Sequence, residues 1–248
     1  MSWVKLPSST SLRKPSRVLL VTAHPDDEVM FFTPLLTYFK STGTIVSILC
    51  LSDGNFEGLG NIRSMELMKC AALFSISLND VHIINHQQLQ DGMKNDWPAS
   101  VIAELVQRYI HTIEPSIVST TLPRKHQNYA HQTSCLQVVT FDERGVSDHP
   151  NHIATYHGVR LALSNMSKLK VLTTPVGLKL QSNNILRKFS GVFDILLACL
   201  FSEYVVVAMG LWTALRGMYL HRSQNQLYRQ VFVLLSSFTY INSFAPIL

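Results

Sequence analysis

A short segment near the start of the chain places one imidazole beside three carboxylates. Residues 18–21 are apolar, and the turn that follows them contains His24, Asp26, Asp27 and Glu28. An apolar run of this length that stops at a proline is typical of a buried strand. Imidazole and carboxylate groups in one turn suit a divalent cation, which would relieve the repulsion among the neighbouring acids. The alternative is an acidic first helical turn, in which the same carboxylates favour the helix dipole.

A second set of candidate ligands lies far downstream, after another apolar run at 138–141. Here the sequence SDHPNH at 147–152 contributes His149 and His152. Neither set has the closely spaced cysteines of a structural zinc site. Three nitrogen and oxygen ligands with one open position form a catalytic metal site, which His24, one aspartate and one downstream histidine would supply. Spacing alone does not decide between Asp26 and Asp27 as the ligand.

Apolar runs alternate with helical patterns along the chain. Strands are predicted at 18–21, 44–51, 81–84, 138–141 and 170–173, and helices at 29–39, 63–74, 97–113 and 154–163. This alternation is typical of a doubly wound α/β sheet, whose strands would bring both ligand sets to one edge. We therefore predict one domain over residues 17–248 after a disordered tail at 1–16. A polar stretch at about 119–136 interrupts the strand pattern and is predicted to be an insertion.

The amino-acid composition of the chain limits which binding partners are expected. The net charge is +5 and the isoelectric point is near 9.1, which favours an anionic partner such as phospholipid headgroups. The chain has no compact basic stripe interleaved with aromatic residues, so nucleic acid is not expected. Four cysteines without CxxC spacing indicate reduced thiols in a cytosol-facing protein.

From about residue 192 the chain is strongly apolar, and this part is expected to pack on the domain or lie at a bilayer surface. A membrane span is the alternative, which Asp194 and Glu203 oppose.

Two motifs carry a family resemblance. AHPDDE at 23–28 and HPNH at 149–152 resemble the signature of the PIG-L/LmbE-like zinc deacetylases. The supporting segments are LSDGN at 51–55, IRSMEL at 62–67, LRKFSGVFD at 186–194 and HRSQ at 221–224, which resemble the branch that deacetylates N-acetylglucosaminyl-phosphatidylinositol. The resemblance implies a Rossmann-like, three-layer α/β fold with a mostly parallel sheet. Eukaryotic members typically carry an N-terminal membrane anchor, whereas residues 1–16 contain no apolar segment of that kind.

The resemblance also assigns roles to residues. It implies that His24, Asp27 and His152 hold Zn²⁺ or another divalent metal, that Asp26 is the general base, and that His149, if protonated, stabilises the oxyanion. It places Arg63 and Asp53 near the substrate. The competing interpretations are a surface ion pair between Arg63 and Glu66, and an Asx-turn at Asp53.

The resemblance further implies the reaction and its location. An amide hydrolase would remove the acetyl group from N-acetylglucosaminyl-phosphatidylinositol, giving glucosaminyl-phosphatidylinositol and acetate in the second step of GPI-anchor biosynthesis. The expected location is the endoplasmic reticulum membrane, with the catalytic domain facing the cytoplasm. One alternative is a soluble deacetylase of another N-acetylglucosaminyl conjugate. Another is a catalytically impaired splice variant, in which the stretch at about 119–136 disturbs the strand before His149.

Overall fold

Eight strands form a single mixed sheet in the computed structural model, which describes residues 2–5, 15–114, 136–168 and 175–247. The sheet order is β1-β7-β8-β6-β5-β2-β3-β4. The strands are β1 (Ser2–Lys5), β2 (Arg17–Thr22), β3 (Ile45–Cys50), β4 (Val81–Ile83), β5 (Leu136–Phe141), β6 (Val176–Leu180), β7 (Tyr204–Ala208) and β8 (Ile241–Pro246). Strands β2 to β6 pair in parallel, whereas β1, β7 and β8 join the sheet antiparallel. The predicted α/β fold with a mostly parallel sheet is confirmed.

Ten α-helices connect the strands within the described ranges. They are α1 (Asp27–Phe31), α2 (Thr33–Thr42), α3 (Gly60–Leu73), α4 (Ala99–Ile113), α5 (Gly145–Asp148), α6 (Pro150–Lys168), α7 (Ile185–Lys188), α8 (Asp194–Phe201), α9 (Leu211–Leu220) and α10 (Leu227–Leu235). The steps from β2 to β3 and from β5 to β6 run in opposite directions across the sheet. Right-handed crossovers therefore put α2 and α6 on opposite faces.

The point where the strand order reverses lies between β2 and β5, which pair directly in parallel. Residues 18–21 of β2 are fully buried, as the apolar run predicted. Both ligand sets follow these two strands, so they emerge side by side at the carboxyl edge of the sheet. In open α/β sheets this reversal point is where ligands bind.

The predicted helix over 29–39 is two helices that break at Phe32. Pro34, in the first turn of α2, has no N–H to continue the ladder of the preceding helix. Asn242 of β8 satisfies the broken ends, because its amide donates to the carbonyl of Phe31 (2.8 Å) and its oxygen accepts from the N–H of Leu35 (3.1 Å). The two hydrogen bonds of Asn242 thus fix the segment after β2 to the antiparallel part of the sheet.

The predicted disordered tail at 1–16 is wrong for its first part. Ser2–Lys5 forms the edge strand β1, which pairs antiparallel with β7. The backbone pairing and the bonds from Lys5 Nζ to the carbonyls of Cys199 and Ser202 account for this order. Residues 6–14, the predicted strand at 170–173 and nearly all of the predicted insertion at 119–136 lie outside the described residues.

Candidate active site

The loop after β2 holds the first ligand set in a fixed conformation. His24, Asp26 and Asp27 are all buried. The Asp26 backbone has φ of 112°, a conformation that L-residues rarely adopt. Its N–H donates to Glu28 Oε2 at 3.0 Å, which helps to hold the strained residue in place. Strain of this kind persists only where surrounding contacts enforce it and is frequent at functional sites.

The Asp27 carboxylate is oriented by backbone donors. Its Oδ2 accepts from the N–H groups of Ala23 (3.0 Å) and His24 (2.8 Å), while Oδ1 lies 3.2 Å from His152 Nε2. Burial opposes the charged form of Asp27, but the adjacent histidines outweigh burial and lower its pKa. Asp27 is therefore an ionised carboxylate with one oxygen facing a histidine nitrogen.

His152 directs its Nε2 at that oxygen. Its other ring nitrogen, Nδ1, donates to the carbonyl of Gly145 at 3.0 Å, which is the arrangement that orients many metal-binding histidines. Gly145 has φ of 60°, and a Cβ there would lie 2.8 Å from the Cβ of His152, so glycine allows the close approach. Two buried acceptors 3.2 Å apart require a shared cation or proton. Burial opposes protonation of His152, yet Asp27 outweighs burial and raises its pKa, as expected when a proton takes the place of a metal ion.

The candidate ligands from both motifs converge. Ligand-capable atoms of His24, His149 and His152 lie within 4.8 Å of one another. Asp27 also contacts two of these histidines, since its Oδ2 lies 3.9 Å from His24 Nδ1. The predicted set of His24, Asp27 and His152 is thus brought together, with His149 beside it. This donor set of imidazole and carboxylate fits a divalent metal.

His149 is neutral at physiological pH. Burial, together with the neighbouring His152 and His24, lowers its pKa to about 4. Its Nδ1 accepts the N–H of Asn151 at 3.2 Å, which leaves the proton on Nε2. The resemblance implied that His149, if protonated, stabilises the oxyanion; the imidazole is neutral in this geometry, and the group that it offers is an N–H donor.

Asp26 faces two guanidinium groups. Arg229 of α10 donates directly to Asp26 Oδ2, and Arg63 Nη2 lies 3.7 Å from Oδ1. Burial raises the pKa of Asp26, and the two arginines oppose that rise. A carboxylate whose pKa is shifted upwards is suited to accept a proton near neutral pH.

Arg63 and Asp53 differ in their access to the site. Arg63 lines the cavity and donates to the carbonyls of Pro25 (2.9 Å) and Gly54 (2.8 Å), and its buried Nε has no partner among the described residues. It is not paired with Glu66, whose carboxylate accepts from Ser223. Asp53 accepts from Asn85 at 2.9 Å and does not line the cavity. Substrate contact by Asp53 stays a prediction.

Three functional contacts were missed from the sequence. Asp91 lies 3.1 Å from both His24 Nε2 and Arg63 Nη1. His221 binds Glu28 through Nε2 at 2.6 Å, with both side chains fully buried. Arg229 lies in the C-terminal part that was expected to pack on the domain or lie at a bilayer surface, and it donates to Asp26. Only His221, in the HRSQ segment, carried a sequence signal, because Asp91 and Arg229 lie outside every motif.

A cavity of about 740 Å³ surrounds these groups. Its polar wall is formed by His24, Asp26, Asp27, Arg63, Asp91, Ser147, His149, His152 and Arg229. Its apolar wall comes mostly from the chain after β6, with Phe189, Leu227, Tyr228, Val231 and Phe232, and α1 adds Met30 and Phe31. The site therefore combines hydrolytic groups with a lipophilic surface.

Comparison with known proteins agrees with this geometry. The family model described as PIG-L, GlcNAc-PI de-N-acetylase, matches residues 19–163. The chain belongs to this family. A bovine (Bos taurus) protein named N-acetylglucosaminyl-phosphatidylinositol de-N-acetylase is 33% identical, over 92% of this chain and 82% of its own length. A Dictyostelium discoideum protein described as a probable enzyme of that name is 30% identical, over 97% of this chain and 96% of its own length. For a similarly described Schizosaccharomyces pombe protein the identity is 35%, over 71% of this chain and 61% of the relative's length.

The fold of this family member also recurs in a solved structure. The N,N'-diacetylchitobiose deacetylase from Pyrococcus horikoshii superposes with a TM-score of 0.66 at 15% identity. The superposition covers 96% of this chain and 86% of that chain. At this level of identity the likeness concerns the fold alone.

Proposed function

We propose that this PIG-L family member hydrolyses the acetamide of N-acetylglucosaminyl-phosphatidylinositol, releasing acetate and glucosaminyl-phosphatidylinositol in GPI-anchor biosynthesis. The observation that carries the proposal is the buried meeting of Asp27 and His152 beside Asp26, inside a cavity with an apolar wall. The names of the bovine and Dictyostelium relatives support this substrate.

The donor set supports a metal-assisted reaction. We propose that His24, Asp27 and His152 hold the ion, with zinc as the metal, because three nitrogen and oxygen ligands are typical of catalytic zinc. When bound, a divalent cation supplies Lewis acidity to a carbonyl and lowers the pKa of water. The bond from His152 Nδ1 to Gly145 keeps Nε2 directed at the site.

The remaining side chains move and stabilise charge. Asp26 accepts the proton from the attacking water, for which its raised pKa is suited. The neutral His149 Nε2–H donates to the oxygen of the tetrahedral intermediate, where negative charge develops. Asp26 then returns its proton to the departing nitrogen, so that the glucosaminyl amine leaves neutral and acetic acid is formed, which ionises to acetate in water.

Two cations at the cavity suit the anionic part of the substrate. Arg63 and Arg229 both line the cavity and carry guanidinium groups, which bind phosphate well. We propose that the phosphodiester lies near Arg229, between the polar and apolar walls.

We place the enzyme at the cytoplasmic face of the endoplasmic reticulum membrane. Its described cysteines, Cys50, Cys70 and Cys199, are free thiols, which supports a reducing compartment. None of the helices in residues 2–5, 15–114, 136–168 and 175–247 is long and apolar enough to cross a bilayer.

The decisive experiment measures acetate released from N-acetylglucosaminyl-phosphatidylinositol by the whole chain and by Asp26→Asn. Loss of a general base reduces rates by about 10²–10⁴-fold. Glu57→Gln is the matched control, since this carboxylate is exposed. A second arm offers a water-soluble N-acetylglucosaminyl conjugate. Turnover of the soluble conjugate without turnover of the lipid would overturn the substrate assignment, and an active Asp26→Asn variant would overturn the assigned base.

A further inference from the structure

The chain after β6 exposes large apolar side chains to an unusual extent. On α7 and the turn after it, Leu186 is 82% exposed and Phe193 81%. On α8, Leu200 is 65% exposed and Phe201 76%, and on α10 Leu227 is 76% exposed. Soluble monomers rarely leave contiguous apolar patches of this kind open, and those they have are often binding sites. We call the exposed apolar side chains of α7, α8, α10 and residues 189–193 the apolar face.

The elements of the apolar face are packed into one surface. Phe189, next to α7, contacts the ring of Phe232 of α10 with centroids 6.0 Å apart. Tyr240 donates from its hydroxyl to the carbonyl of Leu234 at 3.2 Å, and the backbone at Gly191 passes close to the carbonyl of Leu235. Asp194, the first residue of α8, is paired with Arg187 of α7 at 2.6 Å, so the segments that carry the face are held to one another.

The apolar face continues into the active-site cavity. Leu227, Tyr228 and Val231 are exposed on the face and also line the cavity that contains Asp26. A molecule lying against the face would thus be adjacent to the hydrolytic groups.

The charge on the same segments is positive. Residues 185–201 and 227–235 contain Arg187, Lys188 and Arg229 and a single acid, Asp194. Asp194 is fully buried and paired with Arg187 at 2.6 Å. Arg229 is paired with Asp26, and Lys188 donates to the carbonyl of Val146. All three basic side chains are partly buried, so the exposed surface of these segments is mainly apolar, as suits contact with a membrane interface.

The helices are too short for the hydrocarbon core. The 8 residues of α8 and the 9 residues of α10 extend about 12 and 14 Å at about 1.5 Å per residue, against a core of about 30 Å. Contact with a bilayer would therefore be interfacial, with the side chains at the boundary between headgroups and acyl chains.

We infer that the apolar face docks on the surface of a phospholipid bilayer and holds the cavity mouth at the level of the headgroups. This inference rests on the proposed function, because a lipid-borne substrate needs a cavity that opens at the membrane. A second copy of the chain on the same face would cover residues that line the cavity. The continuity of the face with the cavity favours the bilayer over that occupant.

The test is co-sedimentation of the whole chain with vesicles of phosphatidylcholine, with and without added phosphatidylinositol, and without substrate. We expect binding that is strengthened by phosphatidylinositol and weakened by salt. The double variant Phe193→Gln/Leu200→Gln should bind at least about tenfold more weakly, because two exposed side chains no longer enter the apolar boundary. Leu78→Gln is the matched control: this residue is 60% exposed beside β4, at the opposite end of the sheet order, and should bind as the wild type does.

Deacetylation assays separate this inference from the proposed function. The double variant should lose activity on the lipid in vesicles and keep it on a water-soluble N-acetylglucosaminyl-inositol analogue. If vesicle binding depends on the apolar face but neither substrate is turned over, the docking inference is supported and the proposed function is overturned. Turnover with vesicle binding unaffected by the double variant would overturn docking. A wild-type dimer that the double variant converts to monomer, again with unchanged vesicle binding, would assign the face to a second copy.

Discussion

Removing the imidazole of His221 is expected to destabilise the protein strongly. His221 and Glu28 are both fully buried and joined at 2.6 Å. His221→Ala would leave the carboxylate of Glu28 buried without its cation, and breaking such a pair costs about 3–5 kcal/mol. Since the free energy of unfolding of a domain is about 5–15 kcal/mol, this is a large share of the total.

The reason this pair also matters for activity is its link to the general base. The second oxygen of Glu28 accepts the N–H of Asp26, whose backbone is held at φ of 112°. A carboxylate that shifts after loss of His221 would release Asp26 from this conformation. We therefore expect kcat to fall in the folded fraction of His221→Ala, with a smaller change in KM.

The assay is equilibrium unfolding in urea, followed by tryptophan fluorescence in the presence of a chelator so that metal binding does not add to stability. His221→Gln is the matched control, because its amide can still donate to Glu28 and should recover roughly 1.5–3 kcal/mol. In a Glu28→Gln background, His221→Ala should cost less, since no charge is left unpaired. A loss below about 1 kcal/mol for His221→Ala, or equal losses for the alanine and glutamine variants, would refute the reasoning.

The pH dependence of this pair has a definite sign. Burial disfavours the charged form of His221, but Glu28 outweighs burial and raises the pKa of His221. A raised pKa means that the stabilisation is complete below the unfolded value of about 6.5 and is lost as pH rises through the folded value. The difference in unfolding free energy between wild type and His221→Ala should therefore shrink in alkaline solution.

Three further predictions concern the cavity. Arg229→Gln removes a cation that opposes the rise in the pKa of Asp26. The acidic limb of the pH profile of kcat/KM should therefore move to higher pH. An acidic limb at the same pH as in the wild type would contradict the contact between Arg229 and Asp26. Gly54→Ala should raise KM and lower stability, because a Cβ there would lie 2.4 Å from the guanidinium of Arg63. Gly58→Ala is its control, with a similar φ of 75° and open space, and equal KM values in the two variants would argue against a binding role for Arg63. Chelation of the metal should abolish activity, and zinc at about 100 times its Kd should restore it. Bound zinc should also add about 2.7 kcal/mol to the free energy of unfolding, measured as a rise in Tm. A Tm that zinc leaves unchanged would argue against a metal site.

Much of the site could be predicted from local sequence. The apolar runs before His24 and His149 are buried strands, and parallel strands that are neighbours in the sheet must bring their carboxyl ends together. Metal ligands are short side chains placed by the backbone directly after such strands. Residue types and order along the chain therefore indicated His24, one aspartate and one downstream histidine as ligands, and the family resemblance singled out Asp27 and His152.

The contacts that tune the site depend on tertiary structure. Arg229 reaches Asp26 across 203 residues, and His221 reaches Glu28 across 193. Such pairs arise because β7 and β8 extend the sheet antiparallel, and because α9 and α10 fold back over the loop after β2. The hydrophobic periodicity of the sequence does not predict this return of the chain. The protonation of His149 was likewise decided by packing, since burial against two other histidines sets its pKa. The sequence alone determined which groups could do the chemistry, and the packing of distant elements decided which of them are charged and how each is held.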